Sequence, residues 1–424
     1  MLLFKRGDES DSLSPDDLKE GLVTALEKLG PKKKVLVIPP DFTRFHSRAG
    51  ELASAAWQYY RGKITDILPA IGTHFPMTKS EIEKMFVGVP LGLFREHDWR
   101  KGLTTLGIVP GEYLKEISGG LIDYDWPAQV ANLLVEGGFD LILSLGQVVP
   151  HEVVGMANYN KNIFVGTGGA EGINKSHFLG AVYGMERMMG RTDTPVRRIL
   201  NYASENFAGG LPIVYAHTVV GMSESGRLAT RGLYIGSDSE CFTSAAELSL
   251  KVNFRMLKQP LKKVVVYLDP AEFKSTWLGN KSIYRTRMAI ADNGELIVLA
   301  PGLREFGEDP GIDKLIRKYG YIGTTRVLDQ VKKEPDLQEN LSAAAHLIHG
   351  SSEERFSITY CSGALTREEI ESVNFKYGDL ADNLKKYDPG KLKDGFNTLA
   401  GGEEIYYISN PAIGLWAWEQ KFKS

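Results

Sequence analysis

The chain has 424 residues, with 50 Lys and Arg against 53 Asp and Glu and 43% hydrophobic residues, the balance of a soluble globular protein with room for two domains. A net charge of -3 gives no basic field for nucleic acid or an anionic membrane, and only two cysteines, Cys241 and Cys361, exclude a disulfide framework and an all-thiolate metal cage. No apolar run approaches the roughly 20 residues of a membrane span, and the start MLLFKRGDESDS turns polar too soon for a secretory signal, so the expected location is the cytoplasm.

Residues 14–29 have helical spacing, with Ser14 as cap, Pro15 in the first turn, and Asp16 and Asp17 at the positive helix end. Residues 34–38 (KVLVI) read as a buried strand that runs straight into PPDFTRFHS. Two prolines forbid helix and ladder alike, so Asp41, Thr43 and Arg44 are expected on a rigid loop before a helix over 49–61. An arginine there can grip a carboxylate or phosphate bidentately; the bland reading is an Asp41–Arg44 pair that only braces the loop. The second unit repeats the plan, with a strand over 64–70, the loop GTHFPMTKSE, and Thr78 and Glu81 at capping-box spacing. His74 therefore falls at a strand end before a helix.

Periodicity is weak over 86–125, where His97-Asp98 reads as part of solvated turns. A helix is predicted over 125–137, entered through Trp126-Pro127, and a third strand over 139–145. This alternation predicts an α/β fold with two domains. Residues 1–258 form a Rossmann-like, mostly parallel sheet with helices on both faces, and 259–408 a smaller α/β domain. The aromatic tail 409–424 is expected to pack back on the first domain. Further on, helices are predicted over 178–189, 197–206, 245–257, 313–319 and 340–348. Strands are predicted over 213–222, 264–268, 295–300, 356–360 and 405–408. His217 lies in the apolar strand 213–222, where a core or hydrogen-bonded role is expected.

The stretch 144–177, SLGQVVPHEVVGMANYNKNIFVGTGGAEGINKSH, sets His151, Lys161 and His177 around the turn Gly166-Thr167-Gly168-Gly169 beyond the third strand. Ligands of α/β proteins bind at carboxyl ends of strands, so this is the candidate catalytic floor. Counted from Gly169, Lys175-Ser176 fit a P-loop, but Asn174 stands where its second glycine belongs, and the spacing of Gly166, Gly168 and Gly172 fails a dinucleotide fingerprint. What remains is a loop whose N–H groups, at Gly168 and Gly169, meet an anion, or a glycine turn needed for tight packing. A second reading is metal binding. Imidazole suits Zn, Ni, Cu or Fe, but His151 and His177 form no helical pair and no HExxH, so further donors must come from elsewhere, such as a cofactor. A third is general acid–base chemistry by His74 and His151.

Taken together, PPDFTR, GTHFPM, His151, Lys161 and His177 resemble the nickel-dependent lactate racemase family, over roughly the first domain and in joint order and spacing. The resemblance implies a nickel-pincer nucleotide, a pyridinium mononucleotide with two thio-acyl arms whose sulfur and carbon supply donors the chain lacks. His177 would be the nickel ligand and Lys161 would be acylated by one arm. The glycine loop (Gly168, Gly169) or Arg44 would hold the cofactor phosphate, and Asp41 and Thr43 would orient Arg44 or contact the cofactor.

It also implies an isomerase that inverts the α-carbon of a 2-hydroxy acid by hydride transfer to and from the nucleotide, in the cleft between domains. His74 and His151 would act as acid and base on opposite faces of the substrate, with Arg44 on its carboxylate. The implied partners are the small-molecule 2-hydroxy acid and the enzymes that build the cofactor. In the second domain the family's lactate-binding lysine has no counterpart; Gln338 lies in a comparable segment with Leu341 one turn later. Trp277, Lys281, Arg304, His346, His349 and Arg355 are pocket candidates there. The expected substrate is thus another 2-hydroxy acid or a sugar acid epimerised at its α-carbon. The rivals are a phosphate-binding transferase using residues 166–176 with Lys175, and a non-catalytic carrier of the nucleotide or of nickel.

Overall fold

Two short apolar runs, Val35–Ile38 and Leu141–Gln147, have every residue buried, as strands covered on both faces require. A computed structural model describes residues 1–223 and 227–423 and divides the chain into two units, 1–183 with 188–253 and 184–187 with 254 onward. Both are α/β.

The first unit is built on strands β1 (Leu2–Gly7), β2 (Val35–Ile38), β3 (Ile64–Ile67), β6 (Leu141–Gln147), Ile213–Met222 and Leu228–Gly236. Their order in the sheet is β1, Leu228–Gly236, Ile213–Met222, β6, β2, β3. Pairing is parallel from Ile213–Met222 through β6 and β2 to β3, and antiparallel among the two strands beyond. Alternation along β2 and β6 sends Val35, Val37, Leu141 and Leu143 to one face, against Leu18, Leu22, Ala25 and Leu52 of the helices Pro15–Leu29 and Ala49–Tyr60. Leu36, Ile38 and Ile142 face the other way, toward Ile173, Leu179, Ile199 and Ala245 of three further helices. The expected cap at Ser14 and the expected capping box of Thr78 with Glu81 are both present, and Ser14 forms a box as well, with Asp17.

Two readings of this region are corrected. Residues 126–131 form not a helix but the strand β5 (Trp126–Ala131), antiparallel to β4 (Leu103–Val109); only Asn132–Glu136 is helical. Burial of Trp126 and the bond from its indole N–H to the Gly172 carbonyl (2.8 Å) fix that segment against the helix Ala170–Tyr183. His97 is not in a solvated turn. It is 5% exposed, and its Nε2 meets the Gly168 carbonyl at 2.9 Å.

The second unit holds a six-stranded sheet in the order Lys376–Tyr377, Phe356–Ser362, Ile290–Ala300, Leu261–Tyr267, Glu404–Ile408, Gly395–Thr398, parallel except at the last pair. The division falls at residue 253, where the helix Ser239–Asn253 stops and the strand Phe254–Leu257 begins. The tail joins the second unit. Its strand Leu415–Trp418 runs parallel to Phe254–Leu257, and the Trp416 and Trp418 N–H groups donate to the Arg285 and Met288 carbonyls at 2.9 Å each. Phe254–Leu257 and Leu415–Trp418 make a two-stranded sheet of their own, in which each strand takes its ladder from the other. The tail's last residue, Ser424, lies outside the described residues. Among the described residues no helix is long and apolar enough to cross a membrane.

Candidate active site

The chain passes from β2 to β3 on one side and then returns to place β6 on the other side of β2. Such a reversal opens a crevice at the carboxyl ends of adjacent parallel strands. Loops leaving those ends carry Asp41 and Arg44 after β2, His74 after β3, and His151 and Lys161 after β6. Backbone bonds stitch them together: Ala70 N–H to the Pro39 carbonyl (2.7 Å) and Gly72 N–H to the Gly166 carbonyl (2.9 Å).

Asp41 caps the 3-10 turn Phe42–Ser47 and is 4% exposed. Its Oδ1 accepts from the Thr43 N–H (2.9 Å) and hydroxyl (2.5 Å), and its Oδ2 meets Nδ1 of His74 at 2.6 Å. Burial alone raises the carboxyl, but His74 and Thr43 outweigh it and leave the group below its usual value of 3.8. Thr43 thus holds Asp41, and Asp41 holds His74 by Nδ1. Asp41 and Arg44 are joined by a backbone bond, Arg44 N–H to the Asp41 carbonyl (3.0 Å), and the Arg44 charge adds to the lowering of the Asp41 carboxyl. Among the described residues the Arg44 guanidinium has no hydrogen-bond or ion-pair partner.

His151 ends a two-residue strand and is 5% exposed. Its Nδ1 accepts the Val153 N–H (3.1 Å), which puts the proton of the neutral ring on Nε2. The chain then takes a left-handed path at Gly155, Asn158 and Tyr159 (φ 84°, 68° and 60°). Two successive non-glycine residues there store roughly 1–3 kcal/mol each. Lys161 follows as the cap of a single π-helical turn, Asn162–Gly166, an insertion often met at functional sites. Burial, with help from the Arg44 charge, pushes the Lys161 amine down to about 8, although Glu152 and Asp41 oppose this. Among the described residues that amine has no hydrogen bond and no ion pair.

His177 projects from the helix Ala170–Tyr183 with Nδ1 on the Ile173 carbonyl at 2.8 Å. The bond fixes the neutral tautomer with a bare Nε2, the form that binds a metal. Burial pushes the ring down to about 4, and the Lys161 charge adds to the effect. Among the described residues Nε2 has no partner.

The glycine turn serves close packing. A Cβ would meet Ala70 Cβ at 2.6 Å from Gly166, the Phe164 carbonyl at 1.9 Å from Gly168, and Gln129 Oε1 at 2.3 Å from Gly169. The Thr167 and Gly168 N–H groups close back on the π-turn, and that of Ala170 donates to the Trp99 carbonyl (2.7 Å). Lys175 lies on the flank of its helix, bonded to Glu171 (2.6 Å) and the Asp125 carbonyl (2.7 Å), while the Ser176 hydroxyl bonds the Ile173 carbonyl. A P-loop lysine must instead reach into its glycine loop, so this geometry speaks against the transferase reading.

Of the second-unit candidates, His346 is a core group held by the Tyr284 and Tyr321 hydroxyls at 2.7 and 2.9 Å and packed on Trp277. Arg355 pairs with Asp292 and Glu186, and Arg304 is largely exposed. Sequence reasoning missed Arg197, a buried arginine that binds the turn before Lys161, because a helical arginine carries no local sign of burial.

Among the described residues no group of three or more His, Cys, Asp or Glu could hold a metal. Both cysteines are buried and pushed up to about 12, so neither is a thiolate. A metal at this floor would take one protein donor, His177 Nε2, and its other donors from a bound group. Such an arrangement fits a nickel-pincer nucleotide.

No family model and no curated protein matches the chain. Among solved structures it is similar to a protein from Thermotoga maritima, with 27% identity and a TM-score of 0.79 over 91% of this chain and 94% of that one. It is also similar to the lactate racemase apoprotein from Thermoanaerobacterium thermosaccharolyticum, with 18% identity and a TM-score of 0.64 over 98% and 94%. The chain therefore has a lactate racemase-like α/β fold.

Proposed function

We propose that this protein is a cytoplasmic racemase or epimerase of 2-hydroxy acids that works with a nickel-pincer nucleotide. One observation carries the reading. Three nitrogen groups, the Arg44 guanidinium, the Lys161 amine and His177 Nε2, stand without protein partners beside an Asp41-held imidazole. All three are part-buried at the strand-end crevice, and nitrogen groups gathered there without protein partners are what a bound ligand would engage.

In this reading Lys161, whose amine is depressed to about 8 and so partly neutral near that pH, would hold the cofactor covalently. His177 would hold the nickel through Nε2. When bound, the nucleotide supplies a reversible hydride acceptor for the α-carbon. Arg44 holds the substrate carboxylate through its planar fork. His74 accepts the hydroxyl proton at Nε2, and Asp41 stabilises the resulting imidazolium as a buried carboxylate does in a catalytic triad. His151, with its proton on Nε2, donates to the substrate oxygen.

The test is a chiral screen of enantiopure 2-hydroxy acids and sugar acids in deuterated water, with protein co-produced with cofactor-building enzymes. Inversion without deuterium at the α-carbon is expected. Inversion with deuterium would replace hydride return by direct proton abstraction, and no inversion by nickel-loaded protein would favour a carrier.

A further inference from the structure

The helix Pro195–Phe207 carries Arg197 into the interior at 2% exposure. Its Nη2 donates to the Met156 carbonyl (2.6 Å) and the Asn158 carbonyl (3.4 Å), and its Nη1 to Oδ1 of Asn160. The Asn160 amide in turn donates to Asn201 Oδ1 (2.8 Å) and Ser204 Oγ (3.2 Å), one and two turns along the same helix. The guanidinium lies 4.4 Å from the Phe242 ring centre and 5.8 Å from that of Tyr159. Among the described residues no carboxylate pairs with it. A buried cation without an acid is costly, and here its compensation comes from oxygens of residues 156–160 and from aromatic faces.

Those five residues include the left-handed pair Asn158 and Tyr159, and the next residue is Lys161. On the other side of the turn, the Asn158 amide meets His217 Nδ1 at 3.0 Å. An arginine that spends its fork on three oxygens of one strained turn dictates the path of that turn, because a planar fork fixes where its acceptors must sit. We propose that Arg197 is the positioning residue of Lys161: its guanidinium holds Met156, Asn158 and Asn160 on the one backbone path that delivers the Lys161 amine to the site. The value of that delivery rests on the role given to Lys161 above; the clamp itself does not.

Two readouts separate the two claims. In the purified protein without cofactor, amide hydrogen exchange is followed for residues 156–166 and for β6. Arg197→Met and Arg197→Lys are expected to speed exchange in 156–166 about tenfold or more and to leave β6 unchanged; Asn160→Ala gives a smaller rise of about threefold. In protein co-produced with cofactor-building enzymes, peptide mass spectrometry reads the adduct on Lys161, expected in the wild type and lost in both Arg197 variants. Unchanged exchange in Arg197→Met overturns the proposal. Wild-type exchange in Arg197→Lys overturns it too, since charge without the fork would then suffice. If Arg197→Met does not fold, Asn160→Ala decides, and unaltered exchange there refutes the clamp. A wild type without an adduct counts against the covalent role of Lys161, while the exchange result still rules on Arg197.

Discussion

His346 in the second unit and His177 in the first both sit on helices rich in small and apolar residues, and their surroundings differ in one respect. Both ring nitrogens of His346 meet a tyrosine hydroxyl, Tyr321 passes the network on to Thr276 at 2.8 Å, and Tyr360 bonds Asn280 at 2.6 Å beside it. His177 spends one nitrogen on its own helix and leaves the other open, within reach of the charge of Lys161, whose amine is equally without a partner among the described residues. A satisfied network contributes rigidity, whereas an unsatisfied one is tolerated where a ligand completes it. The partner set, and not the residue type, separates the scaffold histidine from the candidate one.

The sharpest way to break this contrast is to exchange the roles. His177→Ala should abolish nickel retention in co-produced protein, read by metal analysis, with little change in melting temperature because only a bond within its own helix is lost. Asp41→Asn should keep nickel but lower turnover by about 10²–10⁴-fold, through loss of the imidazole's orientation and charge partner. Its pH signature is also fixed. Asp41 is held below its ordinary 3.8, so its stabilising contribution is complete above that value and disappears as pH falls through the lowered one. Acid unfolding curves of Asp41→Asn should lack that limb.

His346→Phe should do the reverse of His177→Ala. It removes the ring nitrogens that meet the Tyr284 and Tyr321 hydroxyls and should cost about 2–4 kcal/mol in denaturant unfolding, with nickel binding intact in the folded fraction. Smaller still is Lys161→Met. The Lys161 amine is depressed from 10.5 to about 8, so below pH 8 the folded protein carries a charge it disfavours, and stability rises as pH goes from about 8 to 10.5. Removing the amine should therefore stabilise the protein at pH 7, by about 1–2 kcal/mol after allowance for its partial exposure, and flatten that rise. Lys175→Ala should change stability by no more than about 0.5 kcal/mol and leave nickel content alone; loss of nickel or turnover there would revive the glycine-loop reading.

Much of the frame was legible in the chain. The runs KVLVI and LILSL announced strands because burial on both faces favours a nearly continuous apolar run, and Ser14 with Asp17 or Thr78 with Glu81 announced helix starts because a cap is a contact across three residues. Loops beyond such strands could be named as a floor because a parallel sheet gathers its ligand-binding groups at one end. The strand Trp126–Ala131 was misread as a helix because its alternation is short and its partner, Leu103–Val109, lies across a long excursion.

By itself, then, the sequence determined the strand–loop–helix alternation and the order of Asp41, Arg44, His74, His151, Lys161 and His177, since local periodicity and spacing suffice for both. Only the tertiary structure decided that Asp41 holds His74, that His97 supports the glycine turn, that Lys175 points away from it, and that Arg197 grips the turn before Lys161. Each of these joins residues brought together by folding or fixes a side-chain direction, and a hydrogen bond depends on where two atoms finally lie.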